Sequence, residues 1–233
     1  MENNYYYGYD TAAVEKATNV MIKNVYLWMC GALAITGLTA YYVANNPAIL
    51  SWMFGNPWIV FALIFAELGL VIGLSASINR INALTATIMF LAYSVINGMT
   101  LSTIFLVYEI GSITSTFFVT AGTFGTMAIY GSVTNKDLTR IGNLCIMAVI
   151  GLIIAAVVNL FIKSSMMDMV VSGVGVLVFV GLTAYDAQKI KNAFYSVAES
   201  DEASKYAVIG ALELYLDFVN LFLYLLRFFG KRN

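Results

Sequence analysis

The sequence predicts an all-α membrane protein with seven transmembrane helices. Of its 233 residues, 61% are hydrophobic and only 11% are charged, and the mean hydropathy is +0.82. Soluble domains carry about 25% charged residues. This many apolar side chains do not fit into one water-soluble core, and the solvent around them must therefore be lipid. Seven apolar stretches reach the roughly 20 residues that a helix needs to cross the hydrocarbon.

The elements follow one another with short breaks. Residues 1–24 are polar and rich in tyrosine, and we expect a short N-terminal tail because they lack the pattern of a secretory signal. The predicted spans are residues 25–44, 58–78, 83–107, 113–133, 141–162, 169–186 and 206–229. Residues 25–230 therefore form a single seven-helix transmembrane domain, and residues 231–233 form a basic C-terminal end.

The basic residues predict a cytoplasmic N-terminus. Of the 12 Lys and Arg residues, eight would then lie inside and four outside, as the positive-inside rule favours. The inside group is Lys16, Lys23, Arg80, Lys136, Arg140, Lys189, Lys191 and Lys205, and the outside group is Lys163, Arg227, Lys231 and Arg232. The basic C-terminus conflicts with this orientation, so a last segment that re-enters the membrane is the alternative. The net charge of −1 argues against a nucleic-acid partner.

Two aspartates lie in the last two apolar segments, Asp186 in GLTAYDAQKI and Asp217 in ELYLDFVNLF. A charged side chain at the bilayer centre costs at least about 2.5 kcal/mol on insertion scales, so such residues mark functional sites. The span count puts Asp186 in the inner half or at the inner edge of the membrane and Asp217 about 16 Å into the last span. They can meet only if Asp186 lies deeper, and in contact they would have to share a proton.

An acidic stripe runs along the last span. Glu213, Asp217, Asn220 and Tyr224 follow i, i+4, i+7, i+11 spacing and so share one helical face. Two acids on one face are costly for packing alone, which favours the lining of a cation path, with Asp217 and Glu213 as oxygen ligands for a passing metal ion. An interhelical hydrogen-bonded seam is the alternative. No cofactor is expected.

Polar residues near the second and third spans add candidates. Glu67 lies near the middle of the second span and is either a pore acid or a neutral carboxyl group that donates a hydrogen bond. Arg80 ends that span on the same side as Asp186, where it is either a latch on the sixth span or a loop arginine. Asn97 and Thr100 are expected to serve helix contacts.

Three segments resemble the Bax inhibitor-1 family, in particular its bacterial members: YGSVTNKDLT, GLTAYDAQKIK and LELYLDFVNLFLYLLRFFG. The resemblance covers essentially residues 25–230. It implies six helices around a central seventh, and a pH-sensitive calcium leak governed by two aspartates that match Asp186 and Asp217. It also implies an arginine latch that matches Arg80 and an acid in the second span that matches Glu67. Glu213 is an acid where some relatives carry a small polar residue, which would add negative charge to the pore.

The sequence therefore predicts a pH-sensitive calcium leak channel of the bacterial inner membrane, not an enzyme, with calcium ions and the lipid bilayer as partners. The alternative is a non-conducting regulator that binds a membrane protease or another membrane protein. An intramembrane aspartyl protease would also carry two membrane aspartates. Against it, Asp217 lies in LYLD rather than in a GxGD motif. Such proteases also carry a proline in a PAL motif, whereas both prolines of this chain, Pro47 and Pro57, lie far upstream of the aspartates.

Overall fold

The computed structural model describes residues 11–197 and 203–233, and this part of the chain is all-helical. Its helices are, in chain order, α1 (Thr11–Ala44), α2 (Pro47–Gly55), α3 (Pro57–Ser77), α4 (Ala83–Leu101), α5 (Ile104–Val107), α6 (Ile110–Val133), α7 (Thr139–Ile162), α8 (Ser165–Val197) and α9 (Ala203–Phe229). An isolated antiparallel bridge joins Tyr108 to Arg232. The predicted all-α class is confirmed.

Six segments of the described chain are long and apolar enough to cross a membrane, as befits an integral membrane protein. They are Lys16–Ala44, Pro57–Ser77, Ala83–Val107, Thr139–Ile162, Ser165–Phe194 and Ala203–Phe229. The predicted span 113–133 is helical and lies within α6, but α6 is not among the six. Its many Ser, Thr and Gly residues lower its hydropathy, so the sequence count of seven is not confirmed.

The structure moves two predicted boundaries. α1 begins at Thr11, so residues 11–24 of the predicted tail are helical and continuous with the first span, while residues 1–10 lie outside the described residues. α8 does not end at Asp186 but continues to Val197, because residues 187–197 contain neither the glycine nor the proline that would end a helix. Asp186 therefore lies within the span, which reaches Phe194.

The break between the first two predicted spans is itself helical. Asn46 and Asn56 accept hydrogen bonds from backbone N–H groups at the starts of α2 and α3. Each of these helices has a proline at its first position, where no intrahelical N–H bond is lost. Trp52 and Trp58 are exposed beside these caps, as expected of aromatic side chains at a membrane–water interface.

α9 is the most buried of the candidate spans. In its apolar window 67% of the residues are buried, against 39% or less in the other five. It packs against α8, α1, α6 and α4, and its buried side chains lie on all sides of the helix, as Leu212, Leu214 and Tyr215 illustrate. This burial brings the polar residues of α9 into the protein interior.

Candidate functional site

The carboxyl groups of Asp186 on α8 and Asp217 on α9 are hydrogen-bonded to each other. Only 4% of Asp217 is exposed, and its buried Oδ2 accepts no hydrogen bond from an N–H or hydroxyl group of the described residues. A carboxylate is only an acceptor, so two carboxyl groups can bond to each other only if one of them carries a proton. The contact that the sequence made conditional on a deeper Asp186 is present, because α8 is longer than predicted.

Two glycines allow neighbouring helices to approach α8 beside Asp186. A Cβ atom on Gly131 of α6 would lie 2.0 Å from the carbonyl oxygen of Ala184. A Cβ atom on Gly142 of α7 would lie 2.4 Å from the ring of Tyr185. Real side chains do not approach so closely, so these contacts depend on glycine and fix the backbone that carries Asp186.

An ion pair lies one helical turn from the carboxyl pair. Lys189 Nζ donates a hydrogen bond to Glu213 Oε1 at 2.7 Å, with 47% and 30% of the two side chains exposed. The sequence predicted Lys189 as an inside charge and Glu213 as added negative charge in the pore. In the structure the lysine neutralises that glutamate, because the extended α8 brings it opposite α9.

The predicted stripe of α9 faces α8 at three of its four positions. Glu213 meets Lys189, Asp217 meets Asp186, and the Tyr224 ring stacks on Phe179 with centroids 5.7 Å apart. The fourth stripe residue, Asn220, donates to the Leu216 carbonyl of its own helix at 2.8 Å. In this state the stripe therefore has the geometry of the interhelical seam that was the alternative to an open path.

Charges of opposite sign meet at the far end of the same seam. Arg227 NH1 lies 3.5 Å from Asp168 Oδ1, and Arg232 NH2 lies 3.9 Å from Asp168 Oδ2. A cavity of about 150 Å³ lies beside Asp168 and Arg227 and is also lined by Asn159. The residues after α9 are held to the start of α6, where Lys231 Nζ lies 2.7 Å from Glu109 Oε1.

Arg80 does not contact the carboxyl pair. It follows α3 in a turn, where its backbone N–H donates to Ser77, and its side chain is exposed. α3 packs mainly against α4, not against α8, and Arg80 forms no ion pair with a carboxylate of the described residues. The latch that the resemblance implies is therefore not formed in this state.

Glu67 lies on a different side of α9 from Asp217. Its Oε1 accepts a hydrogen bond from Thr100 Oγ1 at 2.7 Å, and its Oε2 accepts from Asn97 Nδ2 at 3.4 Å. Asn97 also accepts from the hydroxyl of Tyr215 at 2.9 Å. Asn97 and Thr100 thus serve helix contacts, as predicted, and their partners include the carboxyl group of Glu67.

The connection between α6 and α7 is tied to α8 by Gln188, which the sequence analysis did not single out. Its Nε2 donates to the Lys136 carbonyl at 2.8 Å, and its Oε1 accepts from the Leu138 N–H at 2.9 Å. In the same connection, hydrogen bonds from the side chain and backbone of Thr139 hold the pKa of Asp137 below its ordinary value. The resemblance motifs YGSVTNKDLT and GLTAYDAQKIK contain these residues and were the available signal.

The described residues contain no group of three or more His, Cys, Asp or Glu side chains that could hold a metal ion. Asp217 and Glu213, predicted as ligands of a passing metal, are engaged with Asp186 and Lys189. They have the carboxylate oxygens that calcium prefers, and access for an ion to the buried Asp217 would require α8 and α9 to separate.

An apolar groove of about 1010 Å³ runs between α1 and α6, with Phe218 of α9 at its base. Small residues such as Ala34, Gly37 and Gly125 line its walls. A second cavity of about 330 Å³ continues it and shares Gly37 and Phe218. Small residues allow close approach of another transmembrane helix, so this face is suited to an apolar partner.

The chain matches one protein-family profile and is similar to several bacterial proteins. The family profile described as "Inhibitor of apoptosis-promoting Bax1" matches residues 18–233. The chain is 49% identical to the inner membrane protein YbhL of Escherichia coli K12 over 91% of this chain and 92% of that protein. It is 43% identical to an uncharacterized protein of Borreliella burgdorferi over 94% of this chain and 97% of that protein. It is 42% identical to the uncharacterized protein RP147 of Rickettsia prowazekii, over 91% and 89%.

Proposed function

Because this chain belongs to the Bax inhibitor-1 family, we propose that it is a pH-sensitive calcium leak channel of a bacterial inner membrane, gated by the proton that Asp186 and Asp217 share. The observation that carries the proposal is the hydrogen bond between these two carboxyl groups within membrane spans. A packing interface does not require two acids in contact at that depth, where ionisable groups are costly.

The shared proton holds α8 and α9 together. While one proton is shared, the carboxyl groups attract each other and the seam is closed. When it leaves, two adjacent anions repel in a medium of low dielectric constant, and the helices separate. The charged groups that face the pair are Glu213 and Lys189, which already neutralise one another, so the pair itself is the group that titrates.

Opening the seam would expose a row of oxygen ligands to a passing cation. Asp186, Asp217 and Glu213 lie along the α8–α9 interface, and Asn220 follows on the same face of α9. Calcium prefers such hard oxygen ligands, and a row of them binds weakly enough for the ion to leave. Glu67 remains a candidate acid of the ion path, on the far side of α9.

We also propose that α6 is the seventh span and that α9 is the central helix. α6 has 24 residues, or about 36 Å of helix, which exceeds the roughly 30 Å hydrocarbon core. The hydroxyl groups of Thr120, Thr126 and Ser132 donate to carbonyls of their own helix. These three side chains therefore leave no unpaired donor in lipid. Its contacts with α8 and α9 support a position inside the bundle.

The proposed orientation places the N-terminus in the cytoplasm. The basic C-terminal residues, which conflicted with it, are engaged by acids at their own end of the bundle: Arg227 and Arg232 by Asp168, and Lys231 by Glu109.

Purified protein in liposomes that contain a calcium indicator tests the proposal. Calcium should enter down its gradient without ATP, above the rate of protein-free liposomes. Absence of flux from protein whose helical fold has been verified would contradict the channel. Cleavage of an added transmembrane peptide would instead indicate the protease that the sequence disfavours.

The apolar groove supports a second candidate, the non-conducting regulator that binds a membrane protease or another membrane protein. Gly125 lines the groove, and a Cβ atom placed on it would meet nothing within 4 Å, so Gly125→Leu should fill the groove without disturbing the fold. A regulator would lose its membrane-protein partner in this variant. A channel would retain its calcium flux.

A further inference from the structure

A chain of four hydrogen-bond contacts crosses the bundle away from the carboxyl pair. It runs from Glu67 Oε2 to Asn97 Nδ2 at 3.4 Å, and from Asn97 Oδ1 to the Tyr215 hydroxyl at 2.9 Å. It continues from Tyr215 to Thr36 Oγ1 at 2.7 Å and ends at the carbonyl oxygen of Ser94, 2.9 Å from Thr36 Oγ1. Four helices take part: α3, α4, α9 and α1.

The inner part of the chain is closely packed. Tyr215 and Ser94 are fully buried, and Thr36 and Asn97 are nearly so. The close approach of α1 to α4 depends on Gly98, since a Cβ atom there would lie 2.6 Å from the backbone oxygen of Thr36. Buried polar groups need hydrogen-bond partners, so each contact requires a hydrogen atom.

Counting hydrogens shows that the chain depends on the charge of Glu67. The Ser94 carbonyl can only accept, so Thr36 must donate to it, Tyr215 to Thr36, and Asn97 to Tyr215. The amide of Asn97 then turns its oxygen towards Glu67, which must donate as a carboxylic acid. Four hydrogens then fill four contacts.

Ionised Glu67 leaves one contact without a hydrogen. A carboxylate only accepts, so the Asn97 amide turns its NH₂ group to Glu67 and its oxygen to Tyr215. The hydrogens that remain are one each on Asn97, Tyr215 and Thr36, which fill three of the four contacts. The unfilled contact is then that of Asn97 with Tyr215, that of Tyr215 with Thr36, or that of Thr36 with Ser94, depending on where the Tyr215 and Thr36 hydroxyls point.

We propose that Glu67, Asn97, Tyr215 and Thr36 form a proton-responsive hydrogen-bonded chain, in which a proton on Glu67 turns the Asn97 amide over and reverses the donation between Asn97 and Tyr215. The protonated chain is complete and ties α1, α4 and α9 together, and the ionised chain leaves one of the contacts among these three helices without a hydrogen. The inference goes beyond the calcium leak, because it concerns the packing of α9 and requires no ion flux.

Few charged or titratable groups face Glu67. From α4 it meets Tyr93 and the hydroxyl of Thr100, and from α9 it meets Tyr215. The described residues place no basic side chain in an ion pair with it. The charge of Glu67 therefore acts mainly on the hydroxyl and amide groups to which it is hydrogen-bonded.

Infrared difference spectra between acidic and alkaline buffer test the proposal on the purified full-length protein in nanodiscs. The parent should show a pH-dependent change in a tyrosine C–O band that disappears in Tyr215→Phe. Glu67→Gln should abolish the change, because a neutral amide can donate permanently and holds the chain in its protonated direction. Tyr93→Phe is the matched control: its ring packs edge-on against Tyr215 at 5.7 Å, but its hydroxyl is not part of the chain, so the change should persist.

A Tyr215 band that does not respond to pH in the parent, or that responds equally in Glu67→Gln, would overturn the proposal. Thermal unfolding of each variant verifies that the protein is folded. Glu67→Gln is nearly isosteric, so it keeps the test decisive even where Tyr215→Phe is destabilised. A protein that conducts no calcium can still give the expected spectra, which separates this test from that of the leak.

Discussion

Asp186 and Asp217 hydrogen-bond to each other between α8 and α9, so a single proton joins two helices that are both candidate membrane spans. With the proton the contact is attractive, and without it the two carboxylates repel. Because the chain has no histidine, this pair is a natural origin for a pH response.

Replacing either aspartate by asparagine should flatten the pH dependence of calcium flux. In the parent, flux should rise with pH as the shared proton leaves, by on the order of tenfold for each 1.4 kcal/mol of repulsion released. Asp186→Asn and Asp217→Asn each leave a single carboxyl group that cannot repel a partner. The measurement is indicator flux in liposomes from about pH 5 to about pH 9, a range that brackets the titration of coupled carboxyl groups.

Asp137→Asn is the control for this prediction, because that aspartate lies in the exposed connection between α6 and α7. It should titrate like the parent. If both variants of the pair also titrate like the parent, the sensor lies elsewhere, and Glu67 and Glu213 are the next candidates.

Glu213→Gln should lower calcium flux and keep the pH response. The substitution removes a ligand from the seam and leaves the Lys189 ammonium, now unpaired, beside the cation path. The pair is partly exposed and partly exposed ion pairs are worth at most about 1 kcal/mol, so we expect a decrease of about two- to fivefold. The double variant Glu213→Gln with Lys189→Gln should recover part of the flux. No difference between the single and double variants would show that the lysine charge does not act on the path.

Arg80→Ala should leave resting flux unchanged at low pH. The resemblance implies a latch on the sixth span, but the side chain of Arg80 is exposed and its helix packs mainly against α4. A latch can act only if Asp186 leaves Asp217 and reaches Arg80, which requires loss of the shared proton. Raised flux in folded Arg80→Ala at acidic pH would restore the latch as a feature of the closed state.

The class of fold and the presence of two aspartates in membrane helices could be predicted because they depend on local pattern. In a chain with only 11% charged residues, an acid in a membrane helix needs a polar partner inside the protein. The shared face of the stripe on α9 follows from the 3.6-residue period of the helix. The depth of Asp186 could not be predicted. The basic residues Lys189 and Lys191 marked a membrane edge, whereas α8 continues past them, with one lysine paired to Glu213 and the other donating to the Ser132 carbonyl.

The contacts of Glu67 also could not be predicted from the sequence. Tyr215 lies two residues from Asp217 and faces another side of α9. Its partners lie on other helices, so helical spacing within α9 could not indicate a contact with Glu67 or Thr36. These residues are 30 to 179 positions apart along the chain from their partners, and only the packing of α3, α4 and α1 reveals them. A tyrosine in an apolar helix gives no signal that distinguishes a core ring from a hydrogen-bonding one.

Lys231→Gln should loosen the C-terminal residues 230–233 at neutral pH but not at strongly alkaline pH, relative to the parent. The hydrogen bond to the Glu109 carboxylate raises the pKa of Lys231. The contribution of this pair is therefore present below the ordinary pKa of lysine and is lost as pH rises through the raised value. Trimming by carboxypeptidase should be faster in the variant at neutral pH and equal to the parent at strongly alkaline pH. Lys163→Gln, at a helix end without a described ion pair, should be trimmed like the parent.

Gly131→Ala should destabilise the protein through the contact that supports Asp186. A Cβ atom at Gly131 would lie 2.0 Å from the Ala184 carbonyl oxygen, so α6 and α8 must move apart, whereas a Cβ atom at Gly122 of the same helix would meet nothing within 4 Å. Such overpacking costs about 1–3 kcal/mol, while an open helical position gains up to about 1 kcal/mol from alanine. Thermal unfolding in detergent should therefore show a lower midpoint for Gly131→Ala and an equal or higher one for Gly122→Ala. Because the displaced backbone lies two residues from Asp186, Gly131→Ala should also raise calcium flux at acidic pH, where the parent seam is closed. Equal midpoints for the two variants would show that α6 does not press on α8 at this point.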